Sequence, residues 1–230
     1  MNKIKYALIV ILAALLCGNL YGAGRGSAPG GPPPAEIGAE EETTLLLIRE
    51  EEKLARDTYL TFFGYWDDKI FRNIAHSEQL HMNAMGQMLI TYDLVDQDPV
   101  GDNPVGEFTN LDFQAMYDVF AVQGHGSLYE ALLIGVLIEE LDISDLRAAI
   151  AQTESRPLLN AYTMLLAGAY FHLRSFVAHL MILDPDYEYV AQLLPQDDAN
   201  SIVGNYDTPA TPRAISGHGA RSKQYKGARN

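Results

Sequence analysis

Four stretches of the chain form apolar helical faces, and each of them carries acidic or histidine side chains near its middle, six in all. They are Glu51, Glu78 and His81, Glu139 and Asp142, and His172. A lone carboxylate that faces a core destabilises the fold by several kcal/mol unless a partner neutralises it. Carboxylates and imidazoles that converge on one space are typical ligands of divalent metal ions. The pattern therefore predicts a buried metal site.

Each of these residues also has a simpler interpretation. A single glutamate on an apolar helix face is more often half-exposed or part of a salt bridge, and an E-x-x-H pair such as Glu78 and His81 also arises by chance. His172 alone would be a hydrogen-bonded core histidine. The joint pattern favours a metal site, because all four stretches carry a ligand near their middle. Lys53 and Arg56 point away from these faces, so they are not expected to neutralise the acids.

The ligand types narrow the choice of metal and of partners. Cys17 is the single cysteine of the chain, so a thiolate site is excluded. Carboxylates and imidazoles favour iron or manganese. Zinc is an alternative where it is the metal available to the protein. The net charge of −14 leaves no basic face for nucleic acid. Metal ions are therefore the expected partners, and a homo-oligomer is compatible with the sequence.

Four long helices and one short helix must position these residues. Apolar residues recur with helical periodicity over about 43–63, 68–92, 111–122, 127–152 and 156–183. Ser127 and Glu130 form a capping-box sequence, and Pro157 suits the first turn of a helix. A short link, a long crossover that contains the short helix, and a second short link are typical of an antiparallel four-helix bundle. The sequence predicts an all-α bundle of this type over 43–185.

The N-terminal residues 1–23 resemble a signal peptide. Lys3 and Lys5 precede an apolar run over 6–16, and small residues follow it. This run is too short for a stable membrane span, so none is expected in the mature protein. The layout predicts export to the periplasm or the cell exterior, with a lipid anchor at Cys17 as the alternative.

Two further segments flank the predicted bundle. Residues 24–42 contain many glycines and prolines, which indicates a flexible linker. From Asp197 onward the chain is poor in large apolar side chains, and it ends in a basic stretch. A mostly disordered tail is therefore expected over 186–230.

Four segments of the chain resemble the ferritin-like superfamily of di-iron carboxylate proteins. They resemble in particular an uncharacterised prokaryotic ferritin-like family, catalogued as domain of unknown function 2202. The segments are 49–57 (REEEKLARD), 77–82 (SEQLHM), 138–143 (IEELDI) and 172–176 (HLRSF). The resemblance extends over about 45–180, which is the whole predicted bundle.

The superfamily pattern implies a set of metal ligands from all four long helices. The pattern has a glutamate from the first long helix, E-x-x-H from the second, a glutamate from the third and E-x-x-H from the fourth. The matching residues are Glu51, Glu78, His81, Glu139 and His172. Ala169 stands where the glutamate of the fourth long helix (156–183) is expected, and Asp142 is the candidate for the missing oxygen ligand.

The resemblance also implies an activity. It implies two iron or manganese ions and an oxidoreductase that acts on peroxide, dioxygen or ferrous iron. The substitution at Ala169 keeps an alternative open, namely a non-catalytic metal-binding protein or a structural bundle with a degenerate metal site.

Overall fold

The structure is a computed structural model that describes residues 36–96 and 104–204. Within these ranges the protein contains helices joined by loops and turns, and no strand. The helices are α1 (Ala39–Trp66), α2 (Lys69–Thr91), α3 (Leu111–Gly124), α4 (Leu128–Gln152), α5 (Arg156–Leu183) and α6 (Gln196–Val203). The prediction of an all-α protein is confirmed for these ranges. The predicted signal peptide, the lipid-anchor alternative at Cys17 and the basic end of the chain lie outside the described residues.

The helix boundaries follow from local capping. Four helices begin after a residue whose side chain accepts a hydrogen bond from a backbone N–H of the first turn: Asp68 for α2, Asn110 for α3, Ser127 for α4 and Ser155 for α5. Such caps satisfy donors that the helix itself leaves unpaired. Residues 39–42, expected in the linker, instead form the first turn of α1.

The four long helices pack as two close pairs that lie against each other. α1 packs on α2 and α4 packs on α5, and the pairs meet where α1 contacts α4 and α2 contacts α5. Tyr59, Phe62, Phe71 and Phe176 form a ring cluster in the interior, with Tyr59 and Phe176 centroids 5.2 Å apart. α3 covers α1 and α4. As a result α1 is surrounded, and most residues over 45–59 are buried, including charged ones.

A buried ion-pair network attaches the crossover to α1. Lys53 donates hydrogen bonds to the Asp57 carboxylate (2.8 Å) and to the Glu107 carbonyl oxygen (2.7 Å). Asp57 also accepts one from the Gly106 N–H (3.0 Å) and one from Arg56 (2.7 Å). Removing one member of a buried ion pair costs about 3–5 kcal/mol. Lys53 and Arg56 therefore hold the crossover in place and do not neutralise the predicted metal ligands.

The segment after α5 is ordered up to residue 204, which differs from the expected disorder. The buried carboxylate of Glu140 accepts hydrogen bonds from the backbone N–H groups of Gln192 (2.8 Å), Leu193 (2.7 Å) and Leu194 (3.2 Å). It also accepts one from the Tyr189 hydroxyl (2.8 Å). These contacts with a residue about 50 positions earlier in the chain fix the segment against the bundle.

Replacing Glu140 with alanine is expected to destabilise the protein by about 3–5 kcal/mol and to release this segment. The alanine leaves several backbone N–H groups without an acceptor in a place that water does not reach freely. Urea unfolding and limited proteolysis within 187–195 measure the two effects. Glu188→Ala, at an exposed position of the same segment, should change stability by less than about 0.5 kcal/mol. Equal proteolysis of both variants would contradict the anchoring role of Glu140.

One helix in the described part of the chain, α5, has the length and apolar composition of a membrane-crossing helix. The core helix of a soluble protein meets the same criterion. In this structure His172, Leu173, Phe176 and Val177 of α5 are buried in the interior. The apolar character of α5 is therefore used, at least in part, for packing within the protein.

Candidate metal centre

Two clusters of possible metal ligands meet at one carboxylate, Glu78. The first consists of Glu52, Glu78 and His81, and the second of Glu78, Glu139 and His172. In each cluster the ligand atoms lie within 4.8 Å of one another. All five residues are at most 7% exposed. α1, α2, α4 and α5 thus each contribute to one buried centre.

The two oxygens of Glu78 face two different imidazoles. Its Oε2 lies 2.7 Å from the Nδ1 atom of His81, and its Oε1 lies 2.7 Å from the Nδ1 atom of His172. On the outer sides, Glu52 lies 3.2 Å from the same atom of His81, and Glu139 lies 3.5 Å from that of His172. This is the arrangement expected of a carboxylate that bridges two ion positions.

The residues fit a pair of divalent ions. Glu78 Oε1 and His172 Nδ1 are close, but neither has a partner in hydrogen-bond geometry among the described residues. Metal–ligand bonds of about 2.0–2.2 Å place neighbouring ligand atoms about 3 Å apart. The distances of 2.7–3.5 Å between these atoms match that spacing. Carboxylates with imidazoles, without thiolate, suit iron or manganese.

Four of the six residues predicted from the sequence lie in these clusters. The structure brings together Glu78, His81, Glu139 and His172. It adds Glu52, which the apolar stripe of the helix did not indicate. The sequence feature that could have pointed to Glu52 is the run of three glutamates at 50–52. The helix that carries this run is buried on nearly every side. On such a helix the apolar stripe does not decide which glutamate faces the centre.

The two other predicted ligands, Glu51 and Asp142, lie beside the clusters. Glu51 is buried, and its Oε2 atom has no hydrogen-bond partner among the described residues. Asp142 is close enough to Glu52 and Glu139 to interact electrostatically with both. Glu51 and Asp142 line a small cavity of about 10 Å³ together with Glu52, Glu78 and Glu139. Their role as ligands stays a prediction.

Neighbouring residues fix the orientation of the ligands. The buried hydroxyl of Tyr59 donates a 2.6 Å hydrogen bond to Glu139 Oε1. Gly168 lets the His81 imidazole lie directly against α5, because a Cβ at this position would come within 2.6 Å of the ring. The His81 and His172 rings are stacked with centroids 5.6 Å apart. Ala169, where the resemblance expects a glutamate, is fully buried.

Burial and mutual contact shift the acid–base properties of the cluster. Burial raises the pKa of Glu52 to about 8, although the nearby His81 opposes the shift. Burial also opposes ionisation of Glu78, but the two imidazoles hold its pKa well below the usual range. Burial disfavours the imidazolium forms, yet Glu52 and Glu78 raise the pKa of His81 to about 11, and Glu78 and Glu139 raise that of His172. Without metal, protons on the imidazoles compensate the acids.

The metal-free protein is expected to lose stability as the pH rises. The pKa values of Glu52 and His81 are above their unfolded values of 4.5 and 6.5. The folded state therefore binds more protons at these groups between 4.5 and 8 for Glu52 and between 6.5 and 11 for His81. Each extra proton contributes a slope of roughly 1.4 kcal/mol per pH unit.

Urea unfolding of metal-free protein over a series of pH values measures this dependence. Glu52→Gln should reduce the loss of stability between pH 4.5 and about 8. It removes the carboxyl group that holds an extra proton in the folded state over this pH range. Bound metal should oppose the loss of stability, since metal binding needs these ligands deprotonated. A metal-free protein whose stability increases from pH 5 to pH 9 would contradict the assigned proton positions.

Fold and site together define an all-helical protein with buried carboxylate and histidine clusters that could hold metal ions. The chain belongs to the family described as uncharacterized protein domain DUF2202, whose model matches residues 41–205. The resemblance to that family, noted from the sequence, is thereby confirmed.

The comparisons also found a relative from Methanocaldococcus jannaschii, the uncharacterized protein MJ0754. It is 37% identical over 154 residues, which cover 67% of this chain and 81% of the relative. The crystal structure of the hypothetical protein MJ0754 is similar with a TM-score of 0.69 and 36% identity, over 76% of this chain and 98% of the other. The shared fold therefore extends over nearly all of the chain in that crystal structure.

Proposed function

We propose that this chain is an exported di-metal protein whose centre holds two iron or manganese ions. Glu52 and His81 would hold one ion, Glu139 and His172 the other, and Glu78 would bridge them. The observation that carries the proposal is the position of Glu78, whose two oxygens each lie 2.7 Å from a different imidazole. Buried acids gathered around one point need compensation, and two cations supply it.

The proposal includes a ferritin-like antiparallel four-helix bundle. The link between α1 and α2 is two residues, Asp67 and Asp68, and the link between α4 and α5 is 153–155, whereas a long connection separates α2 from α4. Short links are typical of antiparallel neighbours, and a bundle with one long crossover is the ferritin-like arrangement. Ligands from four helices that point inward are also typical of that class.

The candidate activity is that of an oxidoreductase acting on peroxide, dioxygen or ferrous iron. A bound iron or manganese pair would supply changes of oxidation state at this centre. The chain itself supplies ligands that are held in place: Tyr59 donates to Glu139 and fixes its orientation. The ligands are at most 7% exposed, so bulk water has little access to them. The adjoining cavity of about 10 Å³ excludes organic substrates, whose sites span about 300–1,000 Å³.

A second candidate function is metal binding without turnover. Ala169 favours this second function. It is a buried alanine at the position of α5 where the resemblance implies a glutamate, so α5 contributes His172 and no carboxylate there. A centre with fewer carboxylates could hold ions structurally and stabilise the bundle. The two functions predict the same metal content and differ only in turnover.

Elemental analysis of protein purified without a metal-binding tag tests the proposal first. Two iron or manganese ions per chain, followed by consumption of peroxide or oxidation of ferrous iron, would support the oxidoreductase. Two ions without turnover would support the second candidate. No metal after reconstitution with Fe²⁺ and Mn²⁺, in protein that is folded by circular dichroism, would refute both. N-terminal sequencing of the exported form tests cleavage near 22–24 against lipidation at Cys17.

A further inference from the structure

α5 carries a second apolar stripe on the side that faces away from the core. On its inner side, Leu165 and Phe176 are fully buried. On its outer side, Met164, Phe171 and Ile182 are 52%, 59% and 78% exposed. These three residues are separated by about two and about three helical turns, so they lie on one side of the helix. A helix in a globular protein is usually polar on its outer side, so packing within the bundle does not explain this stripe.

α2 lies beside α5 and extends this exposed surface. The two helices run antiparallel, because Asp68 contacts His179 (2.9 Å) and, further along α2, His81 lies against Gly168. α3 packs on the other two long helices, α1 and α4, and Leu80 of α2 is 54% exposed. We define the α2/α5 face by the following residues of the two helices: Lys69, Arg72, His76, Leu80, Arg156, Met164, Phe171, Arg174 and Ile182.

The charge of the α2/α5 face is opposite to that of the whole chain. The chain has a net charge of −14, but the one carboxylate within 69–91 and 156–183 is that of Glu78, which is buried. The cations of this face make no salt bridge with any residue in 36–96 or 104–204: Lys69, Arg72, Arg156 and Arg174. The other lysines and arginines in those ranges are buried or paired: Arg49, Lys53, Arg56 and Arg147. Unpaired cations are therefore concentrated on this face.

We propose that the α2/α5 face binds the surface of a membrane that contains anionic lipids. Exposed apolar side chains enter the boundary between headgroups and acyl chains, while lysine and arginine contact the negatively charged headgroups. α5 lies on the membrane and does not cross it, because its inner side is buried in the bundle. This inference goes beyond the proposed function, since binding to lipid does not depend on bound metal.

The charges of the face favour a lipid surface over a second copy of the chain. In a symmetric dimer both subunits contribute the same face. The cations of the two copies would then meet without an exposed carboxylate of α2 or α5 to pair with. An anionic lipid surface neutralises cations over a broad area. The stripe from Met164 to Ile182 is about 27 Å long at the rise of an α-helix, which suits an extended surface.

Sedimentation with lipid vesicles tests the proposal on the exported form of the protein. Metal-free and metal-loaded protein are mixed with vesicles of phosphatidylcholine, with or without phosphatidylglycerol, and the bound fraction is measured. Both forms should bind the vesicles that contain phosphatidylglycerol, and high salt should weaken this binding because it screens the charges. No binding to these vesicles, or equal binding to both kinds, would overturn the proposal and leave the metal centre unaffected.

Two double variants test whether the face itself makes the contact. Lys69→Gln with Arg174→Gln should weaken binding roughly tenfold or more, because each lysine or arginine near an anionic surface strengthens binding roughly fivefold. Met164→Ser with Ile182→Ser should also weaken binding roughly tenfold, because it removes apolar surface that enters the lipid. Circular dichroism establishes that both variants are folded.

Leu111→Ser with Val122→Ser is the matched control for the apolar variant. These two residues are 80% and 76% exposed on α3, so this variant should bind vesicles like the parent. An equal loss of binding in the control would overturn the proposal. Parental binding by both face variants would also overturn it and would assign the contact to another part of the chain, such as the basic residues of 213–229.

Analytical ultracentrifugation distinguishes the remaining occupant, a second copy of the chain. The parent should sediment as the same species as Met164→Ser with Ile182→Ser when no lipid is present. A parent that ignores vesicles and forms a dimer, which this variant separates, would make the α2/α5 face an interface between copies. That result would overturn the lipid proposal.

Discussion

Replacing Glu78 with alanine is expected to reduce the bound metal from two ions per chain to none. Each of its oxygens lies 2.7 Å from one imidazole Nδ1 atom, so both ion positions depend on this one side chain. Removing it leaves each position with one carboxylate and one imidazole, too few to compete with water for iron or manganese. Elemental analysis and calorimetric titration with Mn²⁺ measure the loss.

Single-ligand variants distinguish a bridge from two independent ligands. His81→Ala and His172→Ala should each retain one ion, because each imidazole faces only one oxygen of Glu78. Gln87→Ala, at an exposed position of α2, controls for the effect of substitution on the helix and should retain both ions. If Glu78→Ala keeps one full equivalent of metal, Glu78 does not bridge and the di-metal proposal is wrong.

Replacing Gly168 with alanine is expected to displace His81 and to weaken the ion position that it shares with Glu52. The added Cβ would lie 2.6 Å from Cε1 and 2.7 Å from Nε2 of the imidazole, closer than such atoms approach. Either the ring tilts or α5 moves away from α2. Overpacking of this kind costs about 1–3 kcal/mol, and one ion per chain should be lost.

Gly86→Ala on α2 is the matched control for this experiment. Nothing lies within 4 Å of a Cβ built at Gly86, so alanine should stabilise the helix by about 0.5–1 kcal/mol through its higher helix propensity. Urea unfolding and metal analysis of the two variants are compared. Full metal content and raised stability in Gly168→Ala would show that the close approach of His81 to α5 is not needed for binding.

Much of the fold could be predicted because the signals are local. The helical periodicity and the caps at Asp68, Ser127 and Ser155 involve residues within a few positions of each other. The E-x-x-H spacing places Glu78 and His81 on one face of α2 whatever surrounds it. The expectation of disorder differed from the structure for 186–204, because the order there depends on Glu140, which is distant in the sequence.

The spacing of residues along the chain was enough to locate carboxylates and imidazoles near the middle of the four long helices. Which of these side chains lie together in one cluster depends on how the helices pack against each other. α1 has neighbours on several sides and buries both Glu51 (6% exposed) and Glu52 (2% exposed), so its rotation could not be read from an apolar stripe. The packing of α2 places Glu52 beside His81, whereas Glu51 lines the small cavity together with Asp142 of α4. Rotation about a helix axis is set by neighbours distant in sequence, and a periodicity within one helix carries no information about them.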